Sequence, residues 1–312
     1  MRILVTGGAG FIGSHSVEAL LAAGHHVRVF DNLSTGSLDN LAACLGRVEF
    51  VEGDIRDEVS LMLAMAGIEA VLHLAAVVSV PISVESTGFT HSVNATGTLN
   101  VMEVARRQGV HRVVYASSAA VYGAAVAPPV SEGAPLCPSS PYGSQKRYNE
   151  EIGRLESELH GLETIGLRYF NIFGPRQDPA SPYSGVLSIF IDRLSRGQVA
   201  TIFGDGHQTR DFVYVGDVAR ANLLALTADA GRGEVFNVGT GRETSVLQAY
   251  QVIAKVLGVS PAPEFGPARS GDIRHSLANP TLIADRLGWS SQVTFEEGIA
   301  QTIAWHRVRM PA

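Results

Sequence analysis

At about 150 residues per domain, the 312-residue chain has room for two domains or for one large α/β unit with an added lobe. Apolar residues make up 46% and charged residues 17%, against roughly 25% charged in an average globular protein, which excludes a disordered or low-complexity chain. With 24 Lys and Arg against 30 Asp and Glu the net charge is −6, so the overall field repels nucleic acid and anionic membrane, and an anionic ligand has to be held by locally placed donors. Cys44 and Cys137 lack C-x-x-C spacing and read as reduced thiols of a cytosolic chain. No apolar run reaches the ~18 residues of a membrane span, so the expectation is a soluble, cytoplasmic protein.

Short, almost continuously apolar runs at 2–6, 27–31, 48–51, 70–74, 112–116 and 164–168 predict strands buried on both faces. The stretches between them at 11–23, 59–66, 94–108 and 142–160 carry helical spacing. This alternation predicts a doubly wound α/β domain with a parallel sheet. After about Asn171 the alternation breaks, and a Pro/Gly/Ser-rich stretch at 174–185 leads into mixed short helices and strands that read as a smaller substrate lobe. The apolar run 235–238 predicts a strand returning to the main sheet. The expected division is therefore 1–173 for the nucleotide domain, rejoined by a segment near 212–240, with an interleaved lobe over 174–312.

Between the first predicted strand and the first helix stands TGGAGFIG, in which Gly8-x-Gly10-x-x-Gly13 and Gly7-x-x-Gly10-x-x-Gly13 overlap. Without Cβ atoms at the glycines the chain turns sharply, backbone amides can approach a pyrophosphate, and the helix can lie close to the strand, so Gly7, Gly10, Phe11, Ile12 and Gly13 are predicted cofactor contacts. Asp31 closes the second strand 18 residues beyond Gly13, where a carboxylate can accept both hydroxyls of an adenosine ribose. The same carboxylate repels a 2′-phosphate, and no Arg occurs in Asn32-Leu33-Ser34-Thr35, so the predicted cofactor is NAD rather than NADP. Asn32, Ser34, Asp54 and Ile55 complete the predicted adenosine site, Asp54 either bonding the adenine amino group or capping the next helix.

The fifth strand runs into YASSAAVYG at 115–123, and Tyr142 and Lys146 follow at positions i and i+4 of a helix, about 6 Å apart at Cβ. An ammonium there favours phenolate over phenol, and a positive nicotinamide ring adds to that effect, drawing a group of normal pKa near 10 towards neutrality and making Tyr142 a candidate general base. The ten histidines are dispersed without spaced acidic or Cys partners, and no metal site is predicted.

TGGAGFIG, Asp31, YASSAAVYG and Tyr142-x-x-x-Lys146 together resemble the extended short-chain dehydrogenase/reductase family. The match continues through LRYFNIFGPRQDP (167–179), GDGHQTRDFVYVGD (204–217), NVGTG (237–241) and RSGDIRHSLAN (269–279), and these later blocks are similar to nucleotide-sugar epimerases. The resemblance implies a Rossmann-type sheet and a tightly held NAD that is reduced and reoxidised within one turnover. It implies that Ser118, with Ser117 as the alternative, bonds the sugar 4-oxygen, that Tyr142 takes the 4-hydroxyl proton, and that Lys146 also holds the nicotinamide ribose. It adds Leu74, Ala75, Ala76, Asn94, Ser117 and Tyr169 to the cofactor contacts. For the UDP-sugar it implies Ser79 beside the sugar, Asn171, Arg210 and Arg269 on the diphosphate, where a guanidinium makes paired charge-assisted bonds, and Asp272 near the nucleotide ribose.

Related 4,6-dehydratases carry acid and base groups where this chain has Ala119 and Ala120, and alanines can neither donate nor accept a proton, which leaves C4 epimerisation without elimination. Ser276 falls where epimerases restricted to UDP-glucose and UDP-galactose carry a bulky Tyr, so the resemblance implies room for an N-acetyl group and acceptance of UDP-GlcNAc and UDP-GalNAc. A UDP-glucuronate 4-epimerase and a non-catalytic NAD-binding sensor or scaffold are the alternatives. The joint presence of Ser118, Tyr142 and Lys146 weighs against the second. The resemblance also implies a homodimer, with the helices near 94–108 and 142–160 as candidates for a four-helix contact.

Overall fold

The β-branched runs form a parallel sheet whose alternate side chains enter two separate cores. In the computed structural model, which describes residues 1–124, 126–178, 185–268 and 273–309, the chain begins β1 (Arg2–Thr6), α1 (Phe11–Ala22), β2 (His26–Asp31), β3 (Val48–Glu52), α2 (Glu58–Met65) and β4 (Ala70–His73). Two short helices, α3 (Val80–Glu85) and α4 (Thr87–His91), lead into a π-helical turn (Ser92–Gly97) and α5 (Thr98–Arg107). Then come β5 (Arg112–Ser118), α6 (Pro141–His160) and β6 (Glu163–Tyr169).

The remainder runs β7 (Asn171–Phe173), α7 (Val186–Ser195), β8 (Thr201–Phe203), β9 (Thr209–Arg210), β10 (Phe212–Tyr214), α8 (Val215–Thr227) and β11 (Glu234–Val238). It closes with β12 (Thr244–Ser245), α9 (Val246–Leu257), β13 (Glu264–Gly266), β14 (His275–Ser276), α10 (Thr281–Leu287) and α11 (Phe295–Arg309).

Among the described residues the main sheet has seven strands, all parallel, in the order β11-β6-β5-β4-β1-β2-β3. This is the doubly wound Rossmann-type sheet expected from the alternation. Ile3, Val5, Leu72 and Val114 point into one core with Val17 and Leu20 of α1 and Ala221 and Ala225 of α8. Their neighbours Leu4, Val71 and Val113 point into the other, with Leu61 and Met65 of α2 and Val101 and Val104 of α5. Each such Val or Leu stabilises the fold by about 1.5–3 kcal/mol on burial. The strand order reverses between β4 and β1, which opens a crevice at their carboxyl ends, the usual ligand position in such sheets.

The predicted strands agree to within a few residues, β5 running on to Ser118 and β11 joining the sheet beside β6. The helix expected over 94–108 differs, because its first turn is the π-helical turn. That wider turn holds Asn94 inside the protein, where its Nδ2 donates to Val77 O and Gln145 Oε1 and its Oδ1 accepts Val77 N.

Beyond β6, α7, α9 and α11 pack around a third core containing Phe190, Ile191, Tyr250, Ile253, Ile299 and Ile303. Three small sheets accompany it, β7 with β10, β8 with β13, and β12-β9-β14. Positions 179–184 of the Pro/Gly/Ser-rich stretch lie outside the described residues, as do Arg269 and Asp272. No described helix is long and apolar enough to cross a membrane.

Candidate active site

The glycine loop is closed by backbone approach. Gly7 has φ +70°, and a Cβ on it would lie 2.7 Å from Ala75 N, while a Cβ on Gly13 would lie 2.1 Å from Gly7 O. No other residue lets β1, the start of α1 and the loop after β4 meet this closely. At the mouth of this turn Gly10 is the N-cap of α1, with no side chain capping the helix and no acidic residue in its first turn. The amides from Phe11 and Ile12 onwards and the positive end of the helix dipole are thus presented to an anion.

Asp31 is buried at the end of β2, accepting Ala9 N at 2.9 Å and Leu33 N at 2.8 Å. Burial raises its pKa, with the two amides opposing, and each oxygen keeps capacity for a further donor. Asn32 accepts Ser34 N and donates to Asp54, whose carboxylate is held down at about 2 by Arg56, which bonds both of its oxygens. The cap of α2 is Asp57, so the capping alternative for Asp54 is replaced by a salt bridge to Arg56. Ile55 beside it is buried.

The loop after β4 is strapped down at both ends. Leu74 N donates to Thr6 O and Ala75 N to Thr6 Oγ1, and Asn94 clamps Val77, so Leu74, Ala75 and Ala76 cross the carboxyl end of β1. Asn94 therefore meets this loop with both of its Nδ2 donors already engaged. Ser79 caps α3, accepting Ile82 N, and Ser83 in that helix accepts Tyr142 N at 3.1 Å.

Ser140 caps α6 and Pro141 opens it, which sets Tyr142 in the first turn against the end of β5. The Ser118 hydroxyl, at the end of β5, accepts Ala120 N and favours the ionised form of the Tyr142 phenol. Lys146 Nζ donates to Ala116 O at 2.8 Å and stands 5.8 Å from the centre of the Tyr142 ring. Burial pushes the phenol up to about 12, the Ser118 hydroxyl opposing it, and pushes Lys146 down to about 8, Glu150 opposing. Loss of hydration is thus the dominant influence on this phenol in the protein alone, the nicotinamide ring that shares in the expected lowering being supplied by the cofactor.

Ser117 and Ser118 lead to different places. Ser117 Oγ donates to Glu150 at 2.5 Å, and Glu150 pairs with Arg168 through bonds of 2.8 and 2.7 Å, all three buried. Arg168 continues to Tyr122, which donates to Asn237. Tyr169, expected beside the cofactor, turns its hydroxyl to Asn222 at 2.6 Å. Glu150, Arg168 and Ser83 were missed by sequence reasoning. A carboxylate one turn beyond Lys146 on the same helical face was the available signal for Glu150.

On the lobe side, Asn171 donates through N and Nδ2 to Asp211 O. Arg210 donates to Thr209 O and Ile273 O, and Ser276 lies directly opposite it in the β9–β14 register.

A buried phenol with an ammonium beside its ring, set beside a slot for an adenine dinucleotide, suits proton exchange with a secondary alcohol, and with the Rossmann-type sheet this is the equipment of the extended short-chain dehydrogenase/reductase class. Residues 3–239 match the model of the NAD dependent epimerase/dehydratase family, and the chain belongs to that family, with NAD as its cofactor. The UDP-glucose 4-epimerase of Mycolicibacterium smegmatis is 44% identical over 311 residues, 98% of this chain and 99% of that one. The structure of Thermus thermophilus UDP-glucose 4-epimerase in complex with NAD is similar at a TM-score of 0.90 and 40% identity, covering 99% of this chain and 100% of that chain. That of the UDP-N-acetylglucosamine 4-epimerase from Methanobrevibacter ruminantium, in complex with UDP-N-acetylmuramic acid, is similar at 0.95 and 35% identity, covering 99% of each.

Proposed function

We propose that this protein is a UDP-sugar 4-epimerase that inverts C4 through a transient 4-keto sugar, acting on UDP-GlcNAc and UDP-GalNAc as well as UDP-glucose and UDP-galactose. The observation that carries the reading is the buried phenol of Tyr142 with the Lys146 ammonium 5.8 Å from its ring centre.

Gly7, Gly10, Phe11, Ile12 and Gly13 would hold the cofactor's pyrophosphate and Asp31 its adenosine ribose, flanked by Asn32, Ser34, Asp54 and Ile55. Leu74, Ala75, Ala76, Tyr169 and Lys146 border the opposite end. When bound, NAD would supply reversible hydride chemistry at the sugar C4. Ser118 Oγ bonds the sugar 4-oxygen and aligns it with Tyr142, whose phenolate takes the hydroxyl proton and later gives it back. Lys146, kept charged with the help of Glu150, favours the phenolate. Ala119 and Ala120 form a turn directly after Ser118 and offer no proton to a leaving hydroxyl, which supports epimerisation without dehydration. Asn171, Arg210 and Arg269 would take the diphosphate, Asp272 the nucleotide ribose and Ser79 the sugar edge. The small Ser276 beside Arg210 leaves volume for an N-acetyl group, and the likeness to the Methanobrevibacter enzyme supports this breadth. The free thiols Cys44 and Cys137 fit a reducing compartment, the cytoplasm.

One product-resolved panel tests this. Wild-type protein incubated separately with the four UDP-sugars is expected to interconvert both pairs. Tyr142→Phe is expected to lose at least about 10²-fold in kcat while retaining NAD. Ser276→Tyr is expected to keep the hexose pair and lose the N-acetyl pair. An unchanged Tyr142→Phe rate refutes the base, and a wild type inert towards UDP-GlcNAc refutes the wider substrate range.

A further inference from the structure

The lobe side of the site is assembled from segments distant in sequence, and one side chain touches several of them. Asp211 is fully buried between β9 and β10. Its Oδ1 accepts Thr240 N at 2.8 Å and Thr240 Oγ1 at 2.6 Å, and its Oδ2 accepts Gly241 N at 3.0 Å and Ala278 N at 3.1 Å. Its backbone oxygen accepts Asn171 N at 3.0 Å. Arg210 precedes it in the chain, and Ser276, two residues before Ala278, pairs with Arg210.

We propose that Asp211 is a positioning residue for the sugar nucleotide: its carboxylate ties the 239–241 turn to the 276–278 segment and thereby sets the spacing of Asn171, Arg210 and Ser276. The inference rests on the reading of those three residues as substrate contacts. Four donors converge on the two oxygens and none is a cation, so the group binds chain segments together rather than neutralising a charge. Burial raises the Asp211 pKa and the four bonds oppose it, whereas the amide analogue brings N–H against N–H. The far side of the same segment is held independently: Val130 N donates to Leu277 O and Asn279 N donates to Val130 O. Ala278 is thus bracketed, and Ser276 forms a fixed wall whose distance from Arg210 Asp211 governs.

The test uses UDP as the probe in calorimetry, alongside steady-state kinetics and measured NAD content. Asp211→Asn is nearly isosteric, and it is expected to weaken UDP binding and raise KM by about tenfold or more while kcat stays within about threefold and NAD content is unchanged. Thr240→Val, which removes a single donor, is expected to weaken UDP binding by a few-fold, about two to five, with Thr240→Ser restoring it. Folded Asp211→Asn with wild-type UDP affinity, or with a fall in kcat at constant KM, overturns the proposal. If Asp211→Asn does not fold, the threonine pair decides, and equal UDP affinity in Thr240→Val, Thr240→Ser and wild type overturns it. A wild type that binds UDP while the variants show no effect defeats only this inference, whereas a wild type that neither binds UDP nor turns over a UDP-hexose defeats the functional reading as well.

Discussion

His73 shows how a single residue's protonation follows from its neighbours. It is buried at the end of β4, with Nδ1 2.7 Å from Thr6 Oγ1 and Nε2 3.0 Å from Thr98 Oγ1. Thr98 already spends its proton on Asn94 O and accepts from Asn149, so it receives the Nε2 proton of His73, and Nδ1 accepts the Thr6 hydroxyl. The ring is neutral, and burial, helped by the charge of Lys146, lowers its pKa to about 3. An unfolded chain binds a proton at this histidine below about pH 6.5, which the folded chain refuses. The residue's contribution to stability is therefore complete above the unfolded pKa and is lost as pH falls towards 3, at up to about 1.4 kcal/mol per pH unit. Urea unfolding at pH 7, 6 and 5 should show a shallower acid dependence for His73→Gln than for wild type, and parallel dependences would contradict the assignment.

At the scale of elements, α6 carries much of the proposed chemistry, because residues one turn apart reach successive positions of β5. Lys146 reaches the Ala116 carbonyl and Glu150 the Ser117 hydroxyl. Glu150 in turn neutralises Arg168 on β6, so one buried carboxylate serves the helix and two strands. Glu150→Gln leaves that guanidinium buried without a counter-charge and is expected to cost about 3–5 kcal/mol in urea unfolding at pH 7. The same change removes the influence that raises the Lys146 pKa, so the alkaline limit of kcat, set near 8 by Lys146, should move to lower pH. A full pH profile with an unmoved alkaline limb would separate Glu150 from the lysine.

In the molecule as a whole, the first helix of the sheet domain is tied to the chain beyond β7, His15 meeting Pro175 O at 2.9 Å and Glu18 pairing with Arg176. The outer surface near α6 leaves Phe89 of α4 and Leu159 of α6 exposed, at 49% and 69%. We propose that the chain pairs with a second copy through the α5–α6 face, as these helices led us to expect. Light scattering should then return twice the 33.1 kDa chain mass, and a monomer mass at micromolar concentration would exclude the dimer.

The sequence by itself determined the seven parallel strands, the phosphate loop, Asp31 and the Tyr142–Lys146 spacing, since each depends on near neighbours: apolar runs record burial on both faces, and glycines and helical offsets record local geometry. Only the tertiary structure decided that Ser117 is spent on Glu150, that burial raises the pKa of Tyr142, and that the predicted helix opens with a π-helical turn around Asn94. The same holds for β9, β12 and β14, whose two residues each are too few to carry a period. Asp211 is the clearest case, because its partners at 171, 240, 241 and 278 come together only when separate segments fold against one another, and no local pattern encodes which distant amide a buried carboxylate will accept.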